Sequence, residues 1–132
     1  MKLAFLLLIG LLSGCSVLSE SYNMKYDQGE YRLITDIRVD AQNFQDECTD
    51  PVQAKVNATI IKRRTDLFEA YVQYIPLDTD VQKASIELGN IAKGLEAQYK
   101  KAPVSPTFCR IKLEVIEHAA KSMQAVIGNK PR

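Results

Sequence analysis

Apolar residues recur along most of this chain at steps of three and four, the spacing that collects them on one side of an α-helix. Leu77, Val81, Ala84, Leu88, Ile91 and Leu95 form one such series without a miss, and Cys109, Leu113, Ile116, Ala120, Met123 and Ile127 form another. An earlier stretch reads Ile34, Ile37, Ala41, Phe44 and Cys48. Between these, the pattern predicts a seam through Val52, Val56 and Ile60 that resumes at Leu67, Phe68, Tyr71 and Val72, with Arg63 and Arg64 falling where it should continue. Four amphipathic helices, each with a sticky stripe, are the parts of a bundle.

Each segment carries its own start signal. Asp27 with Glu30 has the spacing of a capping box, and Thr79 with Gln82 repeats it. Asp50-Pro51 sets a capping carboxylate before a proline at the first helical position, with Gln53 at the reciprocal place, and Ser105-Pro106 is the fourth start. Lys100-Lys101 followed by Pro103 closes the third segment, and Gly128 followed by Pro131 closes the fourth. The expected fold is all-α, a small antiparallel up-down bundle of about four helices over residues 27–128, with 129–132 as a C-terminal tail. An α+β fold is the alternative, because Tyr31-Leu33-Ile37-Val39, Val52-Ala54-Val56-Ala58-Ile60 and Cys109-Ile111-Leu113-Val115 also alternate as half-buried strands do. Against it, no glycine falls between Gly29 and Gly89, and no Asn-Gly or Asp-Gly pair is present to turn a hairpin.

The first residues follow another logic. Met1-Lys2 supplies a positive charge, Leu3 to Leu12 an apolar run, and Leu12-Ser13-Gly14-Cys15 a small-residue cleavage site, the three parts of a signal peptide. About ten apolar residues are too few for a transmembrane helix, which needs ~20. Leucine, two small residues and a cysteine resemble the lipobox of bacterial lipoproteins. That resemblance covers only the first fifteen or so residues. It implies that residues 1–14 are removed, that the Cys15 thiol receives a diacylglycerol, and that the freed amine is acylated as well. Each buried CH₂ of those chains contributes about 0.8 kcal/mol to membrane binding. Ser16, standing where an aspartate would signal inner-membrane retention, implies the outer membrane with the domain facing the periplasm. Residues 15–26 then become the lipidated cysteine and a polar, serine-rich tether spanning on the order of 20 Å.

Assigning Cys15 to lipid leaves Cys48 and Cys109 as an even pair in an exported protein, where a disulfide is the default. Free thiols are one alternative; a two-cysteine metal site is the other, and it lacks nearby ligands. Closing a loop of about 60 residues would add roughly 4 kcal/mol. An up-down bundle puts the corner between its first two helices and the corner between its last two at the same end, so the two cysteines are expected to meet there.

Charge narrows the partners. The chain has 17 basic and 16 acidic residues, and removal of the signal takes Lys2 alone, leaving the two signs balanced. That argues against nucleic acid. His118 is the one histidine, two positions past Ile116 and off the seam, with Glu114 four residues before it as a solvated contact. Asp36, Asp40, Asp46, Glu47, Asp66, Glu69, Asp78 and Asp80 read as exposed faces and caps. No nucleotide loop, zinc helix, nucleophile elbow or haem attachment motif is present. No catalytic residue, metal or cofactor is therefore expected.

Arg63 and Arg64 have two readings: stems that pack while their heads snorkel, or a basic notch for lipid phosphate, glycan carboxylate or an acidic partner. Gly89 and Gly94 cost the third helix about 1 kcal/mol each against alanine, which close packing of a neighbour or a partner groove would justify. The expectation is a non-catalytic, membrane-anchored protein whose helical domain binds another envelope component. An inhibitor, immunity or entry-exclusion lipoprotein of phage or plasmid origin is the alternative. An outer-spanin-like lysis protein and a wall or lipid enzyme rank below both.

Overall fold

A computed structural model describes residues 25–132; the signal segment, Cys15 and most of the tether lie outside them. Four helices follow in order: α1 (Gln28–Phe44), α2 (Pro51–Val72), α3 (Thr79–Lys101) and α4 (Pro106–Gly128), with a 3-10 turn at Gln45–Glu47. No strand occurs among the described residues, so the α+β alternative gives way. Short connections make successive helices antiparallel; α1 packs most extensively on α4 and α2 on α3.

Three of the helix starts form as expected. Asp27 Oδ1 accepts from the Glu30 amide at 2.7 Å. Asp50 Oδ1 accepts from the Val52 and Gln53 amides at 3.0 and 3.1 Å, and Ser105 Oγ from the Phe108 amide at 3.1 Å. Such a cap is worth about 1 kcal/mol. The reciprocal halves of the boxes do not form. Gln53 donates to Asn57, and Glu30 turns inward. Thr79 is the first residue of α3 rather than its cap, because Asp78 takes that place and sends its carboxylate into the interior. Gln82 donates to the Val72 and Ile75 carbonyls, satisfying the end of α2 instead. Leu77, just before, has φ 65°, a left-handed conformation costly for a leucine.

The core accepts the expected seam of α4 entirely: Cys109, Leu113, Ile116, Ala120, Met123 and Ile127 are buried. In α1, Ile34, Ile37 and Ala41 are buried, as is Cys48 beyond it, and Phe44 packs at the margin. The seam of α3 is turned slightly, burying Val81, Ser85, Leu88, Ala92, Leu95 and Tyr99 while Leu77 is left exposed in the connection.

The expected seam of α2 holds at Phe68 and Val72 and is overturned over the rest of its length. The interior receives Ala54, Asn57, Ala58, Ile61, Thr65, Phe68 and Val72, whereas Val52, Val56 and Leu67 face outward. Ala54 and Ala58 are small enough to bring α2 close to its neighbours, and the two buried polar side chains are satisfied locally. Thr65 Oγ1 donates to the Lys62 carbonyl at 2.9 Å, and Asn57 bonds Gln53 and Glu47.

The two ends of the bundle are closed differently. At one, Cys48 and Cys109 form the expected disulfide, with Cα atoms 5.8 Å apart. At the other, Lys130 is buried and bonds both Glu30 and Asp78, and the Tyr26 amide donates to the Pro131 carbonyl at 2.8 Å. Residues 129–132 thus belong to the packed end, and both ends of the described chain meet there.

Candidate functional site

An α-helix that buries one face ordinarily turns a polar face outward; α2 sets an apolar row into that face, between flanks of polar and charged residues. At 100° per residue, Val52, Val56, Ile60, Arg63, Leu67 and Ala70 fall within an arc of about 80°, and the buried row lies roughly 160° away. Apolar residues therefore occupy both sides of this helix. Val52 is 75% exposed, Leu67 56% and Tyr74, in the turn that follows, 89%. The row runs the length of a 22-residue helix, about 33 Å. Contiguous exposed apolar surface is where a soluble domain most often meets a partner or a membrane.

Tyr71 fixes one edge of this face. Its hydroxyl donates to Asp27 Oδ1 at 2.8 Å, passing over Gly29, where a Cβ would collide with the phenol ring. Asp27 is held below its ordinary pKa chiefly by the Glu30 amide, with the Tyr71 hydroxyl assisting, and the same bond raises the pKa of Tyr71.

The structure separates the two arginines that the sequence put together. Arg64 forms an ion pair with Asp40 and approaches Asp36 at 3.7 Å, both on α1. Lys62 pairs with Asp66 on the opposite flank. Arg63 lies between these pairs, exposed in the middle of the apolar row, and forms no ion pair with any described residue.

A shorter apolar row, Ile111, Val115 and Val126, is exposed on α4 across the bundle. Of the two glycines of α3, Gly89 lies where a Cβ would come within 3.1 Å of Glu69 on α2, and Gly94 faces open space. His118 and Glu114 are exposed. Among the described residues, no group of three His, Cys, Asp or Glu side chains is placed to hold a metal. An open groove of about 450 Å³ is lined by Tyr31, Lys121, Gln124, Ala125, Gly128 and Asn129, without a carboxylate.

The strongest electrostatic perturbation lies in the packed end. Glu30 is pushed up to about 7, first by burial and then by the neighbouring Asp78 carboxylate, which outweigh the pull of Lys130. Burial acts to lower Lys130, but its bonds to Asp78 and Glu30 raise it on balance. No sequence signal marks this cluster, because its members lie 52 and 100 residues from Lys130.

No family model, curated protein or solved structure matches this chain.

Proposed function

We propose that this protein is a lipid-anchored, non-catalytic docking protein of the bacterial envelope, tethered through Cys15 to the outer membrane and binding a second envelope component through the outward face of α2. The observation that carries this reading is the exposed apolar row of α2 with Arg63 at its centre. Val52, Val56 and Leu67, with Tyr74 in the turn beyond, supply the apolar surface that such a contact would cover. The anchor rests on the Leu12-Ser13-Gly14-Cys15 resemblance. The fold suits it, because the tether would join the bundle at Tyr26, at the foot of α2, leaving the row extended away from that attachment point.

Labelled palmitate and membrane fractionation test the anchor. The native chain should carry label and sediment with membranes, and Cys15→Ala should lose both. Affinity capture tests docking: the anchored protein should return one dominant envelope partner, lost on Leu67→Lys. Recovery of the same proteins with and without that substitution contradicts the reading.

A further inference from the structure

The outward row of α2 does more than expose apolar surface; its layout restricts what can cover it. Within α2, Val56 and Ala70 stand seven residues either side of Arg63. The positions repeat at steps of three and four, one per helical turn, so the side chains of another helix laid alongside meet them turn for turn. An extended strand advances about 3.3 Å per residue and alternates faces, and its side chains drift out of step with such a row.

Charge selects further. No carboxylate of α2 falls within the arc of the row, and the nearest two, Asp66 and Glu69, lie on its α3 side, where Lys62 pairs with Asp66. Arg64 is bound to α1. A partner covering the row must desolvate Arg63, and a buried guanidinium without a counter-charge is costly. A second copy of this chain fails on that point. A two-fold pairing that sets the apolar residues of one α2 against those of the other is centred on Arg63 and brings the two guanidinium groups together. A bilayer offers phosphate to Arg63 but no side chains spaced to match the row.

We infer that the outward face of α2 receives an amphipathic helix of a different protein, whose apolar stripe carries a carboxylate at its middle, set against Arg63. This deepens the docking function proposed above and rests on it. The carboxylate supplies register: it fixes where along the row the partner helix sits, since sliding by one turn leaves Arg63 against an apolar side chain.

Two synthetic helical peptides, matched in length to α2 and sharing one leucine stripe, would differ only in a central glutamate or lysine. Their binding to the full mature chain in nanodiscs is read by fluorescence anisotropy, with empty nanodiscs subtracted. The glutamate peptide should bind about tenfold tighter or more, as expected for a desolvated charge pair, and Arg63→Glu should reverse the order. Thermal unfolding of Arg63→Glu should match the native chain, since the residue is exposed. Equal binding of both peptides, binding no greater than to empty nanodiscs, or self-association of the chain through α2 each overturns the proposal. Cross-links from α2 to an envelope protein that survive Arg63→Glu would remove this partner chemistry and leave the docking function standing. Absence of any α2 cross-link removes the docking function itself.

Discussion

Lys130 Nζ lies 2.8 Å from Glu30 Oε2, although the two residues are one hundred positions apart, and both are buried. Asp78 completes the cluster from the connection between α2 and α3. One ammonium thus faces two carboxylates at the end where the chain enters and leaves the bundle. Lys130→Met should strip the cation from two buried carboxylates and cost about 3–5 kcal/mol, the loss typical when one member of a buried pair is removed. Urea denaturation followed by circular dichroism measures it.

The surplus carboxylate makes stability depend on pH. Glu30 holds its proton more tightly in the folded state than at its ordinary value of 4.5, because burial and Asp78 push it up to about 7. Its contribution is fully present below 4.5 and is lost as pH rises through about 7. Within that window the native chain should lose on the order of 1.4 kcal/mol per pH unit from this group, and Glu30→Gln should flatten the profile. Asp27 acts oppositely: with its folded value lowered, it contributes above its ordinary 3.8 and loses that contribution as acid protonates it. A native profile that rises between 4.5 and about 7 would contradict this assignment of Glu30.

The disulfide closes the opposite end across 61 residues. Reduction, or Cys48→Ala with Cys109→Ala, should lower stability by roughly 4 kcal/mol. The helices themselves should persist, since both sulfurs lie in seams supported by Leu113, Ile37 and their neighbours. Far-ultraviolet dichroism before and after reduction, beside a thermal melt, separates the two effects.

How much of this was legible in the sequence differs from helix to helix. For α1 and α4 the longest apolar row is the one that spacing identifies, and it is the buried one; the exposed row of α4, Ile111, Val115 and Val126, is shorter. The Cys48–Cys109 pairing followed from cysteine counting and from both residues lying at corners of the same end of an up-down bundle. For α2 the spacing offers two rows, Val52-Val56-Ile60-Leu67 and Ala54-Ala58-Ile61-Phe68-Val72, and periodicity alone does not rank them. Bulk favours the first, and tertiary packing selects the second, because alanines and the self-satisfied Asn57 and Thr65 allow close approach. Arg63, which interrupts the seam that spacing predicts, is therefore the centre of an exposed row. Asp78, Glu30 and Lys130 were hidden for a different reason: capping-box spacing describes contacts within a turn, and these side chains bond across the fold.

Adjacent residues Leu67 and Phe68 distinguish the two rows directly. Phe68 is wholly buried, so Phe68→Ala should cost about 3–5 kcal/mol. Leu67→Lys should change stability by less than about 0.5 kcal/mol, as exposed substitutions do, while abolishing partner capture. The comparison needs one denaturation curve for each variant and one capture experiment.

The most direct test of the docking face is a photo-reactive amino acid placed in the anchored, full-length chain within its own envelope, at Val52, Val56 or Leu67 on α2 and at Ile111 or Val115 on α4. A covalent adduct with one other polypeptide, of constant size, is expected from the α2 positions, and none from α4. Adducts from both faces alike, or none from α2, would contradict it.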